Sequence, residues 1–271
     1  MSSAPLTGAE QQRILDVARE AALAAGQVLM EHFGRLAAQD ISSKEVERDL
    51  LTSADLASER LLVERLRSAF PDHAIESEEE VHDAPREEGD LRWFVDPLDG
   101  TINFVHGLPM FAVSLGLFHN GAPEVGVVHL PRVDETFWAV RGGGAFLNGE
   151  RIQVSSCERL GDAILATGFP YRRNELEHNN LANFGRFFLD VRGMRRMGAA
   201  AVDLAYTAAG RLDGYWELHL APHDVAAGAL LVREAGGRVT DADGGEDWLR
   251  GGHLVAAGPG LIEGIRARIQ H

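Results

Sequence analysis

The sequence predicts a layered mixed fold, an α+β amino-terminal half set against an α/β carboxy-terminal half. Three patterns predict it. Apolar residues recur at helical spacing before residue 70, short apolar runs broken by turn residues follow from Phe111 to Val154, and strand-like and helix-like segments alternate from Ala163 onward. No flexible linker or internal repeat interrupts the chain, so the boundary near Ser155–Leu160 is expected to join two packed subdomains, 1–155 and 156–271.

From Gln11 to Phe33, residues Ile14, Val17, Ala18, Ala21, Ala22, Ala25, Val28 and Leu29 fall on one side of a long helix that Gly34 stops. Ser53–Phe70 repeats the pattern with its leucines, capped by Ser53 and followed by Pro71. HAIESEEE reads as a short strand entering an acidic turn, VHDAPREEGD as a polar loop, and LRWFV as a strand. The runs FAVSLGLF, EVGVVHL and ETFWAV, separated by HNGAP and RGGG, suit an antiparallel meander. Beyond them come AILATGF as strand, Glu175–Leu189 as helix, VRGMRR as strand, AAAVDLAYTAAG as helix, DGYWEL as strand, HDVAAGALLVREAGG as helix and GHLVAAG as strand before a last helix.

Composition narrows the function classes. With 271 residues and 45% hydrophobic content, the chain can bury a large core without disulfides, and Cys157, the single cysteine, can form none within the chain. A reducing cytoplasm is the expected setting. MSSAPLTGAEQQ lacks the pattern of a secretory signal, and no stretch approaches the roughly 20 apolar residues of a spanning helix, so no membrane association is expected. A formal charge of -15 argues against general nucleic-acid binding, which needs clustered Lys and Arg. An anionic ligand would need cations to mediate.

The most informative segment is WFVDPLDGTINF, where Asp96 and Asp99 follow an apolar strand and flank Pro97 and Leu98. Pro97 fixes one backbone angle, Gly100 permits a tight path, and the Leu98 carbonyl is free to act as a ligand. Thr101 then opens a short helical turn whose unpaired amides favour a phosphate. Taken alone, the string also describes a β-turn with solvated aspartates. Glu78 and Glu79 are expected at the end of another strand, however, and Asp224 at the start of a helix after Glu217 has ended a strand, so acidic positions are placed where they can converge at one edge. Hard oxygen donors of this kind suit Mg²⁺.

Through SEEE (Ser77–Glu80), DPLDGTINF (Asp96–Phe104) and HDVAAG…EAGG (His223–Gly237), the sequence resembles the inositol monophosphatase family. LLTSAD ending at Asp55, GAFLNGERIQVS and GAAAVDLAYTAAGRLDGYWE extend the match over nearly the whole chain. The resemblance implies a sandwich of alternating helix and sheet layers, a homodimer, and hydrolysis of a small phosphorylated metabolite with two or three Mg²⁺ ions and sensitivity to lithium. It implies that Glu78, Asp96 and the Leu98 carbonyl hold a first metal, and that Asp96, Asp99 and Asp224 hold a second. A third, weaker metal near Glu78 is implied too, with Glu79 in support. Thr101 with Asp55 would activate water, the Gly100 and Thr101 amides would hold phosphate, and Asp99, Gly198, Ala200 and Glu217 would line the substrate.

Two positions depart from the family pattern: His223 stands where Trp is usual, and Ala199 where Ser or Thr is usual. Myo-inositol 1-phosphate is the leading substrate; histidinol phosphate, fructose 1,6-bisphosphate and nucleotide 3′-phosphates are alternatives. A reading of another class is a protein-binding regulatory module on a phosphatase scaffold. Other suggestive strings have plainer readings. GGGAFLNG is expected to be a hairpin, DADGG a turn, Cys157 an ordinary thiol, His223 a structural residue, and Glu76 and Glu80 solvated companions of the acidic turn.

Overall fold

A computed structural model describes residues 5–84 and 91–271 of the chain. The polar loop expected over 81–90 therefore lies partly outside the described residues, as do the first four residues of the amino terminus.

Helix α1 (Gly8–His32) starts at Thr7, which forms a capping box. The Thr7 hydroxyl accepts from the Glu10 amide, and the Glu10 carboxylate accepts from the Thr7 amide at 2.8 Å. A short hairpin of β1 (Ile41–Ser43) and β2 (Leu50–Thr52) leads into α2 (Ser53–Ala69). The cap of α2 is Thr52 rather than Ser53, because the Thr52 oxygen takes the amides of Ala54 and Asp55 while the Asp55 carboxylate takes the Thr52 amide. The hairpin was not legible in the sequence, since each of its strands has three residues and the first is mostly polar.

A seven-stranded sheet follows in spatial order β3 (Ala74–Ser77), β4 (Leu91–Asp99), β5 (Ala112–His119), β6 (Ala122–Leu130), β7 (Glu135–Val140), β8 (Gly144–Leu147) and β9 (Glu150–Arg151). Only β3 and β4 pair in parallel. A short helix, α3 (Thr101–Val105), leaves the end of β4. Alternation sorts the strands by face: Trp93, Val95, Val113, Leu115 and Val127 bury against α1 and α2, and Phe94, Phe118, Val128 and Phe137 bury on the opposite side. The expected hairpin at Asn148–Gly149 joins β8 to β9, both turn residues having positive φ.

The second half supplies β10 (Ile164–Thr167), α4 (Leu181–Phe188), β11 (Gly193–Arg195), α5 (Ala200–Ala208), β12 (Gly214–Leu218), α6 (Pro222–Glu234), β13 (Arg238–Thr240), β14 (His253–Ala257) and α7 (Ile262–Arg266). Its five strands run in the order β11-β10-β12-β14-β13. Helices α5 and α6 fill the space between the two sheets, in one apolar cluster that joins Phe94, Phe118 and Val128 to Tyr215, Leu254 and Ala256. Phe187, Trp216, Val255, Ile262 and Ile265 close the outer face under α4 and α7. The result is five layers: helices, sheet, helices, sheet, helices.

Two strand glycines set the depth of the central layer. A Cβ at Gly116 would lie 2.7 Å from the Ala226 Cβ, and one at Gly126 would lie 2.8 Å from the Ala227 carbonyl oxygen, so α6 rests directly on β5 and β6. That contact carries the first turn of α6, with Asp224, toward the end of β4.

Two expectations need correcting. The helix read from Glu175 begins at Leu181, because Asn180 is drawn into the core, donating to Thr167 Oγ1 and the Gly168 carbonyl and accepting from Trp216 Nε1. Side-chain bonding of this kind competes with the helix ladder. Glu76 is not simply solvated, since Arg250 grips it with two hydrogen bonds of 2.8 and 2.7 Å. The DADGG segment is a turn closed on Asp241, as read. Among the described residues, no helix is long and apolar enough to cross a membrane.

Candidate metal and phosphate site

Strand β4 slips its register against β5 between Asp96 and Asp99. Asp96 faces Ser114 and Asp99 faces Ala112, so three steps along one strand match two along the other. An odd spacing would send the two carboxylates to opposite faces of a regular strand; the extra residue of this bulge brings them together. Gly100 follows at φ 92°, a left-handed conformation, and a Cβ there would lie 3.0 Å from the Met110 carbonyl oxygen. The glycine is thus required by both conformation and space.

Each carboxylate has a defined support. Asp96 Oδ1 accepts from the Leu98 amide at 3.1 Å. Asp99 receives the amides of Ala200 and Ala201 at 3.2 and 2.7 Å, the first turn of α5. The Ala200 amide is therefore already engaged with Asp99. Asp224 accepts from the Ala221 amide at 2.6 Å. Thr101 Oγ1 lies 3.1 Å from Asp55 Oδ1 and 3.2 Å from the Leu98 carbonyl oxygen, while Asp55 Oδ2 takes the Thr52 hydroxyl at 2.5 Å.

A cavity of about 390 Å³ opens over this edge, with Lys44, Glu78, Asp99, Glu217, His223 and Asp224 in its wall and Gly198 and Ala200 at its border. Lys44, on the hairpin loop, is a residue that sequence reasoning missed. Its Nζ lies 2.7 Å from Glu78 Oε1 and 2.7 Å from Glu79 Oε1. Glu217 accepts from the Tyr215 hydroxyl at 2.6 Å, and Gly168 makes room for it, since any Cβ there would collide with its carboxylate. Tyr215 is fully buried and was read only as part of a strand.

The electrostatics are those of a crowded anionic site. Burial, then the charges of Glu78, Asp99 and Asp224, push Asp96 well above the usual carboxylate range. Burial and Asp224 do the same to Asp99, and burial raises Asp224 although His223 opposes it. Burial lifts Asp55 to about 6 and Glu217 to about 7, and burial with the neighbouring Glu78 charge lifts Glu79 to about 8. Glu78 is the exception: burial works to raise it, yet His223 and Lys44 hold it below the ordinary glutamate value. A set of carboxylates that resists charging when bare is what divalent cations stabilise.

The residues therefore fit a hard divalent metal. Among the described residues, no three acidic, histidine or cysteine side chains already close a cage around one point. Mg²⁺ does not require such a cage, because it commonly takes one or two carboxylates and completes its shell with water and substrate oxygens.

A layered fold with this edge of carboxylates defines a family, and comparison with known sequences agrees. The chain belongs to the inositol monophosphatase family, whose profile matches residues 10–271. It is 44% identical over 264 residues to Nus factor SuhB of Pseudomonas aeruginosa, covering 96% of each chain. The solved structure of inositol monophosphatase from Anabaena (Nostoc) sp. PCC 7120 superposes with a TM-score of 0.85 at 40% identity, with 95% of each chain covered. A more distant structure, an IMPase/NADP phosphatase complexed with Mg²⁺ and phosphate, shares the fold with a TM-score of 0.84 at 23% identity, covering 96% of each chain.

Proposed function

We propose that the protein is a Mg²⁺-dependent phosphatase acting on a small phosphomonoester, with inositol 1-phosphate as the leading substrate. The observation that carries this reading is the register slip of β4 that brings Asp96 and Asp99 together beside a cavity of about 390 Å³, large enough for a small metabolite, whose wall holds Glu78, Asp99 and Asp224. In this reading Glu78, Asp96 and the Leu98 carbonyl hold one ion, Asp96, Asp99 and Asp224 hold a second, and a third sits more weakly near Glu78 with Glu79 behind it. Mg²⁺ bound there supplies charge neutralisation for the phosphate and acidity for a bound water.

The chain's own groups do the rest. The ionised Asp55 carboxylate accepts a hydrogen bond from the Thr101 hydroxyl, which leaves the Thr101 oxygen free to accept a hydrogen bond from water. The Gly100 and Thr101 amides orient the phosphate, and Glu217, with Gly198 and Ala200 beside it, receives the substrate's hydroxyl groups. Residues 1–155 and 156–271 act as subdomains that meet at this site, in a cytoplasmic homodimer.

The test is phosphate release from inositol 1-phosphate, histidinol phosphate, fructose 1,6-bisphosphate and a nucleotide 3′-phosphate, with Mg²⁺, with chelator and with added lithium. Hydrolysis that requires Mg²⁺ and falls with lithium supports the reading. Undiminished hydrolysis after exhaustive metal removal rejects it.

The name Nus factor SuhB, borne by the P. aeruginosa relative, favours a second reading in which the same scaffold serves a regulatory protein contact. That role would survive loss of Asp96, whereas hydrolysis would not.

Specificity offers a separate check. Glu217→Gln is expected to lower kcat/KM for a polyol phosphate roughly 10-fold more than for an aryl phosphate, because a lost hydroxyl partner costs roughly 1–3 kcal/mol. Equal losses on both substrates would assign Glu217 to the fold or the metals instead.

A further inference from the structure

Helix α2 aims three polar side chains at the loops of the candidate site. Asp55 meets Thr101, the Ser58 hydroxyl donates to the Pro97 carbonyl at 2.8 Å, and Glu59, one turn after Asp55, meets the Ser77–Glu80 turn. Glu59 is only 2% exposed. Its Oε2 accepts from the Ser77 hydroxyl at 2.5 Å and from the Glu79 amide at 3.0 Å, and its Oε1 accepts from the Glu80 amide at 2.8 Å.

Three donors from four consecutive residues thus end on one buried carboxyl group. Glu59 suits these part-buried amides and the buried Ser77 hydroxyl, because a carboxylate is the side chain that accepts without donating. Glu78 sits inside the clamped stretch, and its own amide donates to the Val95 carbonyl on β4 at 3.0 Å, next to Asp96. With the backbone held on both sides, the Glu78 side chain lies in the wall of the cavity, where its Oε1 accepts from Lys44. Both Glu59 oxygens are already occupied by protein donors, so Glu59 is not itself a metal ligand.

We propose that Glu59 is a positioning residue: it locks the Ser77–Glu80 turn so that Glu78 is presented to the cation site alongside Asp96. This rests on the reading of that edge as a divalent-metal site. Glutamine at 59 would turn an NH₂ group toward donors that need an acceptor, loosening the turn while leaving Glu78 in the chain.

Mn²⁺ serves as the probe, with free ion counted by electron paramagnetic resonance in wild type and Glu59→Gln, alongside circular dichroism and Mg²⁺ titration of turnover. Groups that orient a metal ligand typically contribute 10–100-fold to affinity. The folded variant is therefore expected to bind Mn²⁺ roughly 10–100-fold more weakly, with turnover largely restored at high Mg²⁺. A folded variant that binds Mn²⁺ within about twofold of wild type overturns the proposal, even if its Tm falls. Should Glu59→Gln not fold, Ser77→Ala removes one of the three donors alone; weaker Mn²⁺ binding supports the role and unchanged binding overturns it. If the wild type itself retains no Mn²⁺, the metal reading falls, and the positioning role with it; normal wild-type binding with an unaffected variant removes only Glu59.

Discussion

An Asp96→Asn protein is expected to fold, to melt at a higher temperature than wild type in chelator, and to release phosphate roughly 10²–10³-fold more slowly at limiting Mg²⁺. The two effects have one origin. Asp96 is 1% exposed and pushed well up by burial and by three neighbouring carboxylates, so a neutral amide relieves the bare protein. The same amide is a poor replacement for a charged oxygen proposed to bridge two cations. Thermal melts with and without chelator, run beside a phosphate-release assay, read both effects. Turnover like that of wild type by a well-folded variant at limiting Mg²⁺ would remove Asp96 from the site.

In chelator, the thermal midpoint is expected to fall as pH rises from about 5 to about 8. Asp96, Asp99 and Asp224 are raised, and Asp55, Glu217 and Glu79 stand at about 6, 7 and 8. An acid whose folded pKa exceeds its unfolded value holds its proton longer in the native state. Its contribution to stability is complete below the unfolded value, roughly 4 for Asp and Glu, and is lost as pH passes through the folded value. Glu78, held low by His223 and Lys44 against burial, runs the other way, as do His129 and His253, whose imidazoles burial lowers, but Asp49 and Asp203, also raised by burial, join the larger raised set. Added Mg²⁺ should reverse the trend, since cations bind the deprotonated set, and its stabilising effect should grow with pH. A chelated protein whose melting point is flat or rising between pH 5 and 8 would mean that burial and neighbouring charge do not raise these carboxylates as described.

Much of this arrangement could be read from the chain alone because the relevant signals are local. Long amphipathic helices and alternating strands each depend on neighbours a few residues away, and they emerge where expected, whereas residues 96–99, read as a turn after the strand, are the bulged end of β4 itself. What escaped depends on distant partners. Lys44 approaches Glu78 and Glu79 across more than thirty residues, and its hairpin has no apolar pattern to announce it. Glu59 looks like an ordinary solvent-facing position of an amphipathic helix until the end of β3 and the turn after it deliver three donors. Asn180 carries no sequence signal of its burial, because its partners lie at the end of β10, on the residue after it and on β12. The register slip that unites Asp96 with Asp99 is likewise a property of two strands rather than one.

The central layer of α5 and α6 also bears on how the chain is made. Synthesis completes the seven-stranded sheet at Arg151, but the helix that covers its inner face ends only at Glu234, about 80 residues later. At 5–20 residues per second, that leaves roughly 4–16 s between the two events on a translating ribosome. During this interval Phe94, Phe118, Val128 and Phe137 lack the full cover of α5 and α6, and Gly116 and Gly126 leave the strands flat where α6 will later sit. The nascent sheet is therefore the stage of biogenesis most exposed to self-association. A chaperone's protection matters most while residues 152–234 are still being added.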